Sequence, residues 1–289
     1  MNKIISTITT EVKYIALKTP FITALRRVED IEFVRVSIEC SDRSIGIGEA
    51  PATFAITGED IETILHSIKS IKDELIGLQL QDAMTALHNS SIGSSAKASL
   101  DIAILSLMGY FKLENFESIK TDITISFNPK ERMLSDAKDA LCRGMDILKV
   151  KLGKDINHAI EVTKEFSTKL QNARLLIDAN QAWSLEDSLL YVNATDDLGL
   201  ELIEQPVVAS DLKGLKEIRN ATKTPLLADE SAFTLDEVKT IVESKSADMI
   251  NIKLMKCGGV SKAVEILEYA REKGIDCMLG SMLEGPYSI

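Results

Sequence analysis

Apolar and polar residues follow two different rhythms along this chain. Over roughly the first 120 residues, TTEVKYIAL, EFVRVSIEC and RSIGIGEA alternate apolar and polar positions, as strands with one wet face do. The segments IETILHSIKSIKDELIG and SAKASLDIAILSLMGYF then space their apolar residues three and four apart, which predicts amphipathic helices. Strands followed by helices predict a small α+β domain over residues 1–120. From residue 121 the pattern becomes strand, helix, strand, helix. The predicted strands are ITISF, ILKVKL, RLLIDAN, LELIEQP, PLLADES, MINIKLM and DCMLGSM. The helices between them include HAIEVTKEFSTKL, LEDSLLYVNATDD, LKGLKEIRNAT, LDEVKTIVESK and VSKAVEILEYAREKG. Residues 121–289 thus read as a β/α barrel domain with seven strands, where a closed barrel of this type has eight.

Charged residues sharpen that reading. Lys151, Asp178, Glu204, Asp229 and Lys253 recur at intervals of 27, 26, 25 and 24, each at the end of an apolar run. The interval is about one strand, one helix and two turns, and parallel strands require such a crossover. The five side chains should therefore emerge at one rim, where barrels of this kind keep their active sites. A carboxylate ending an apolar run is costly unless paired or metal-bound. Any one of the three acids is explained by pairing with a lysine; three at this period point instead to a hard divalent cation such as Mg²⁺. Asn180 and Glu230 lie close enough to orient those ligands. Lys149 and Lys151 share a strand face, so as neighbouring cations they should depress each other's pKa and bring a general base toward neutrality. Lys253 should face Lys151 across the ion, two amines on opposite sides of one carbon. Lys256, in the following loop, is expected to face solvent.

Composition narrows the partners. A net charge of −11 disfavours nucleic acid and anionic membrane surfaces, and no apolar run approaches the roughly 20 residues of a membrane span. Cys40, Cys142, Cys257 and Cys277 show no CxxC spacing, against a zinc site or disulfide framework. The N-terminus lacks a signal peptide's apolar stretch, so a cytoplasmic location is expected. No phosphate-binding glycine loop is present. The three histidines read as surface or packing residues, Asp101 as a helix or interdomain polar contact, and Trp183 as packing beside the Asp178 loop.

Eleven words occur in order: PFITALRRV, GIGEAP, ITGED, SSAKA, TISFN, LKVKLGKD, IDANQAW, IEQPV, ADESAF, INIKLMKCGG and GSMLEG. Together they resemble the muconate-lactonising-enzyme subgroup of the enolase superfamily, and within it the dipeptide epimerases of the L-Ala-D/L-Glu type. The resemblance implies an α+β capping domain on a TIM-type barrel, and an isomerase that epimerises the C-terminal residue of a dipeptide such as L-Ala-L-Glu. It implies 1,1-proton transfer through an enediolate, with a lysine base and Mg²⁺, in murein peptide metabolism. By this resemblance Asp178, Glu204 and Asp229 would bind one Mg²⁺ per subunit, with Mn²⁺ as a substitute. Lys151 and Lys253 would be the acid/base pair, and Lys149 would tune Lys151 and hold the substrate carboxylate. Arg26 would grip the glutamate side chain, since its planar fork suits a carboxylate, and Thr124 would line the pocket. Oligomeric state is left open, a homo-oligomer included.

Two departures from the family are expected to matter. LMGYFKLENFESIK is shorter than its counterpart. The family's eighth strand, with an Asp-x-Asp word for the dipeptide ammonium, is not found, so the chain reads as C-terminally truncated. Other enolase-superfamily chemistry, o-succinylbenzoate synthase or muconate cycloisomerase type, and an inactive remnant that binds only metal or a partner chain are the alternatives.

Overall fold

A computed structural model describes residues 3–24, 26–111 and 118–289. Strands β1 (Ile5–Ile22), β2 (Arg27–Cys40) and β3 (Ile45–Pro51) form an antiparallel sheet in that order. Alternation places Val34, Val36, Ile38 and Cys40 of β2 on the buried face, each at most 1% exposed. Four helices follow: α1 (Phe54–Thr57), α2 (Ile61–Leu75), α3 (Leu80–Asn89) and α4 (Ser94–Leu107). A reciprocal cap between Asp60 and Thr63 starts α2, and its buried stripe is Ile64, Ile68, Ile71 and Leu75, the one-sided spacing of an amphipathic helix.

Helix α4 is buried on nearly every side because it is sandwiched between sheet and barrel. A Cβ at Gly48 would stand 1.9 Å from the Ser99 carbonyl oxygen, and one at Gly46 2.1 Å from that of Ala103. The glycines of GIGEA thus let β3 touch the α4 backbone. On its other side α4 packs Ala98 and Ile102 against Met255 and Met282. Asp101, fully buried, accepts from His88 Nε2 and from the backbone N–H groups of Val260 and Ser261.

The remaining elements alternate: β4 (Ile123–Ile125), α5 (Lys130–Cys142), β5 (Ile147–Lys151), α6 (Ile156–Lys169), β6 (Arg174–Asp178), α7 (Leu185–Thr195), β7 (Leu202–Glu204), α8 (Leu212–Ala221), β8 (Leu226–Ala228), α9 (Leu235–Ser244), β9 (Met249–Lys253), α10 (Leu254–Cys257), α11 (Val260–Lys273) and β10 (Asp276–Gly280). The seven strands are parallel and adjacent in chain order, open between β4 and β10 among the described residues. All seven strands expected from the sequence are present. Helices α1, α3, α5 and α10 were not among those named from the pattern.

The outer strand faces, with Leu148, Val150, Ile177, Ile203 and Ile250, pack on helix residues such as Phe166, Tyr191, Ile218 and Ile241. Each such side chain contributes about 1.5–3 kcal/mol by leaving water. The inner faces bury Leu176, Leu202 and Leu227 with Ile147, Met249 and Met278 against them. The short segment in which the chain departs from the family runs through 112–117, which lie outside the described residues, as does Leu25 of ALRRV. No helix among the described residues is long and apolar enough to cross a membrane.

Candidate active site

Parallel register assembles the rim. Lys151 is paired with Asp178 across β5 and β6, and Asp178 with Glu204 across β6 and β7. Asp229 follows β8 directly, and Lys253 ends β9. Lys149, Lys151, Asp178, Glu204, Asp229 and Lys253 are all between 0% and 8% exposed. A cavity of about 500 Å³ opens here, walled by Lys149, Lys151, Asp229 and Lys253 with Arg26 and Thr124. Asn180 and Glu230 also reach it, whereas Asp178 and Glu204 do not line it.

The lysines divide the carboxylate oxygens among themselves. Lys151 Nζ donates to Asp178 Oδ2 at 2.5 Å, and Lys253 Nζ to Asp229 Oδ2 at 2.5 Å. Lys149 Nζ stands 2.5 Å from Glu204 Oε2 and 3.1 Å from Asp178 Oδ2. Lys256 does not face solvent as expected: it is 2% exposed, and its Nζ donates to Asp229 Oδ1 (2.7 Å), Asp229 O (2.6 Å) and Asn251 O (2.8 Å). The cause is α10, a single turn that doubles the chain back immediately after β9 and ends at left-handed Gly258. An ammonium has three donors. Lys256 spends all of them, whereas Lys151 and Lys253 each spend one on a carboxylate.

Electrostatics also correct the expected depression of Lys149. Burial opposes the charge of Lys149, but Glu204, Asp178 and Asp229 outweigh it and hold its pKa well above the ordinary lysine value. Burial likewise disfavours the charged form of Asp229, yet Lys253, Lys256 and Lys149 hold its pKa well below the usual carboxylate range. Glu230 behaves oppositely: burial, with Asp229 and Asp178 adding repulsion, pushes it up to about 8. Burial raises Glu284 to about 7.

The loops that carry these groups are strained. Asn180, Gln181 and Gln205, just beyond Asp178 and Glu204, have φ of 47°, 63° and 36°, a region that costs free energy for residues other than glycine and recurs at functional sites. The Asn180 backbone N–H donates to Asp178 Oδ1, and its side-chain amide reaches Glu230 Oε1 at 3.4 Å. Gln205 Oε1 accepts from the backbone N–H groups of Asp229 and Ser231.

Arg26 is half-buried on the cavity wall, and no hydrogen bond or ion pair with another described residue engages its guanidinium. Burial lowers its pKa from the ordinary arginine value. Thr124 sits beside Lys149 in the β4–β5 register. Trp183 is 3% exposed and donates from Nε1 to the Gly153 carbonyl.

Four residues escaped the sequence reading: Asn251, whose amide donates to Glu204 Oε1 at 2.9 Å, Gln205, Asp122 and Glu284. Asn251 carried a signal, because it shares the inner strand face with Lys253 at the two-residue period. Asp122 and Glu284 line the cavity without any periodic cue.

Among the described residues, six buried side-chain polar atoms lack a hydrogen-bond partner. One is His88 Nδ1; the other five, Asn180 Oδ1, Glu204 Oε2, Glu230 Oε2, Asn251 Oδ1 and Glu284 Oε2, all belong to this site. Glu204 Oε2 is near Lys149 Nζ but outside hydrogen-bonding geometry. Unsatisfied buried oxygens are expensive, and five in one place fit a cation or donor-bearing ligand. No three Asp, Glu, His or Cys side chains among the described residues are gathered around a common ion position, and a lysine ammonium group lies within ion-pair distance of each of the three strand-end acids. The donor set, three buried carboxylates with the unpartnered amide oxygens of Asn180 and Asn251 beside them, nonetheless is of the oxygen-only type that suits a hard divalent cation.

The enolase C-terminal domain-like family matches residues 132–289. An L-amino acid-D/L-Glu epimerase of Sulfurimonas denitrificans is 53% identical over 292 residues, covering 98% of this chain and 86% of that protein. The substrate-liganded L-Ala-D/L-Glu epimerase of Bacillus subtilis superposes with a TM-score of 0.91 at 36% identity, covering 98% of this chain and 84% of that one. A dipeptide epimerase of Enterococcus faecalis, complexed with Mg and the dipeptide L-Leu-L-Tyr, superposes with a TM-score of 0.91 at 33% identity, covering 96% and 82%.

Proposed function

The chain belongs to the enolase superfamily and to its dipeptide epimerases, isomerases acting on amino acid derivatives, and from that premise we propose that it epimerises the C-terminal residue of a dipeptide such as L-Ala-L-Glu. Residues 1–120 act as the cap and 121–289 as the barrel that carries the chemistry. Asp178, Glu204 and Asp229 hold one Mg²⁺, with Mn²⁺ as a substitute, oriented by Asn180 and Glu230. When bound, the ion supplies positive charge for the substrate carboxylate, where negative charge grows as the α-proton leaves.

The chain's own side chains move the proton. Lys151 and Lys253 lie four strands apart in the sheet, on the wall of one cavity. One takes the α-proton from its face and the other returns one to the opposite face, so the configuration inverts. Lys149 holds the substrate carboxylate with its charge intact, which its raised pKa supports. Arg26 offers a guanidinium without a partner among the described residues to the glutamate side-chain carboxylate, and Thr124 lines the same pocket. The location is proposed as cytoplasmic and the role as reuse of cell-wall peptides.

The observation that carries this reading is that Lys151 and Lys253 each bind only one carboxylate oxygen, on different acids, beside the same cavity. Incubation with L-Ala-L-Glu and Mg²⁺ in D₂O, followed by proton NMR, tests it. Loss of the glutamate α-proton signal together with the D-Glu diastereomer is the expected result. Exchange without the diastereomer removes the two-lysine mechanism, and absence of exchange in folded, Mg²⁺-loaded protein removes this substrate.

A further inference from the structure

Four buried lysines surround three rim acids, and their hydrogen bonds are unequal. Lys253 and Lys256 share one carboxylate: Lys253 holds Asp229 Oδ2, and Lys256 holds Asp229 Oδ1 together with the Asp229 carbonyl. Lys256 is additionally tied to the Asn251 carbonyl on the neighbouring strand and lies 5.4 Å from the Phe233 ring centroid. With three donors and three acceptors it is saturated. Its partners are a main-chain oxygen on each of two adjacent strand ends and one carboxylate oxygen. Among the described residues the Lys253 ammonium has a single hydrogen bond, and it stands on the cavity wall, which Lys256 does not reach.

Resting on the Mg²⁺-dependent reading above, we propose that Lys256 is a positioning residue: the permanent internal counter-cation of Asp229, fixing its carboxylate so that only Oδ2 is available to an ion while Lys253 is released for proton transfer. The two lysines three positions apart thus have opposite duties on one acid. Lys256 is the immobile partner, and Lys253 the exchangeable one. With a cation at the site, Lys253 would give up its one contact with Asp229, and Lys256 would keep all three of its own. Without Lys256, Asp229 is free to rotate and to present both oxygens to Lys253, which then stays captured.

Positioning and simple charge compensation make opposite forecasts for metal binding. Lys256→Met makes the site one unit more negative, so a mere counter-charge role predicts tighter Mg²⁺ binding. A positioning role predicts weaker binding, by about tenfold or more, as for other groups that orient metal ligands. Titration calorimetry of the folded 289-residue chain with Mg²⁺ alone, no substrate present, reads the sign. Weakening supports the proposal, and unchanged or tighter binding overturns it.

A second measurement needs no variant in the working sample and so survives failure of Lys256→Met to fold. Lysine-selective ¹⁵N NMR of the wild-type chain should show one ammonium group protected from solvent exchange and unmoved by Mg²⁺, while the Lys253 resonance shifts. Signals are assigned through Lys149→Met, Lys151→Met and Lys253→Met, which leaves Lys256 as the fourth buried ammonium group. A rapidly exchanging Lys256 signal, or one that moves with Mg²⁺ as far as that of Lys253, overturns the assignment of roles. A wild-type chain that takes up no Mg²⁺ in calorimetry removes the metal-dependent function, and the protection of Lys256 relative to Lys253 in the same spectrum still decides whether it is the fixed partner.

Discussion

The inner face of the seven-stranded sheet carries two layers built from the same strands. Leu176, Leu202 and Leu227 make a floor with Ile147, Met249 and Met278. One step further along each strand on the same face come Asp178, Glu204, Asp229, Lys149, Asn251 and Gly280, and a further step gives Lys151 and Lys253. The floor is apolar and gains free energy by burial. Each ion of the rim loses several kcal/mol of hydration even after relaxation, and recovers it only through near-complete pairing. An apolar floor offers the rim charges no polar partner from below, so they are satisfied by one another or from the cavity side. Stability and chemistry are thus separated by a two-residue step, about 7 Å of strand.

The largest test of that separation removes a rim lysine without touching the floor. Lys253→Met should lower α-proton exchange at its face by about 10²–10⁴-fold, the usual worth of a positioned acid or base. The fold should survive, because Lys256 still holds Asp229. Circular dichroism and the NMR exchange assay on one sample check both halves. Thermal collapse of this variant would break the comparison.

The complementary change goes to the floor. Leu227 is fully buried, so Leu227→Ala should lose about 2–5 kcal/mol of stability in denaturant unfolding, with exchange per folded molecule far less affected than in Lys253→Met. A smaller effect is expected at the boundary between layers. Asn251→Leu strands Glu204 Oε1, whose amide donor it removes, at about 1–3 kcal/mol, measured by the same unfolding titration.

The smallest is a pH effect. Burial raises Glu284 to about 7, so the folded state binds a proton that the unfolded state releases near the ordinary glutamate value. Its contribution is fully present below the unfolded pKa and is lost as pH rises toward about 7. Glu284→Gln should therefore flatten part of the fall in melting temperature between roughly pH 4.5 and pH 7, leaving the part due to Glu230, which runs through the same window and on to about pH 8. Parallel melting curves for the variant and the parent that differ only by a constant offset would remove this role for burial.

The layers were legible in the sequence because both their periods are local: two residues along a strand and about 25 between strands. That was enough to bring Lys151, Asp178, Glu204, Asp229 and Lys253 to one rim. Lys256 was misjudged because its direction is set by the α10 turn, which a short LMKC run does not announce. The Lys149 pKa was misjudged for a related reason. A lysine two positions away is visible in the sequence, whereas three carboxylates on neighbouring strands act only after the sheet forms. Helix α3 has its own stripe of Leu80, Ala83, Met84 and Leu87, but it follows α2 so closely that the two rhythms merge.

Four buried ammonium groups meet three strand-end carboxylates inside a chain whose formal net charge is −11. The pocket and the exterior therefore present fields of opposite sign. An anionic dipeptide is repelled at distances beyond roughly the 8–10 Å screening length of physiological salt and attracted only once inside it. For such a ligand added salt first speeds encounter, by quenching the outer repulsion, while the buried attraction is screened much less. A chain with this layout of charge is in this respect the reverse of one that steers an anionic ligand from afar.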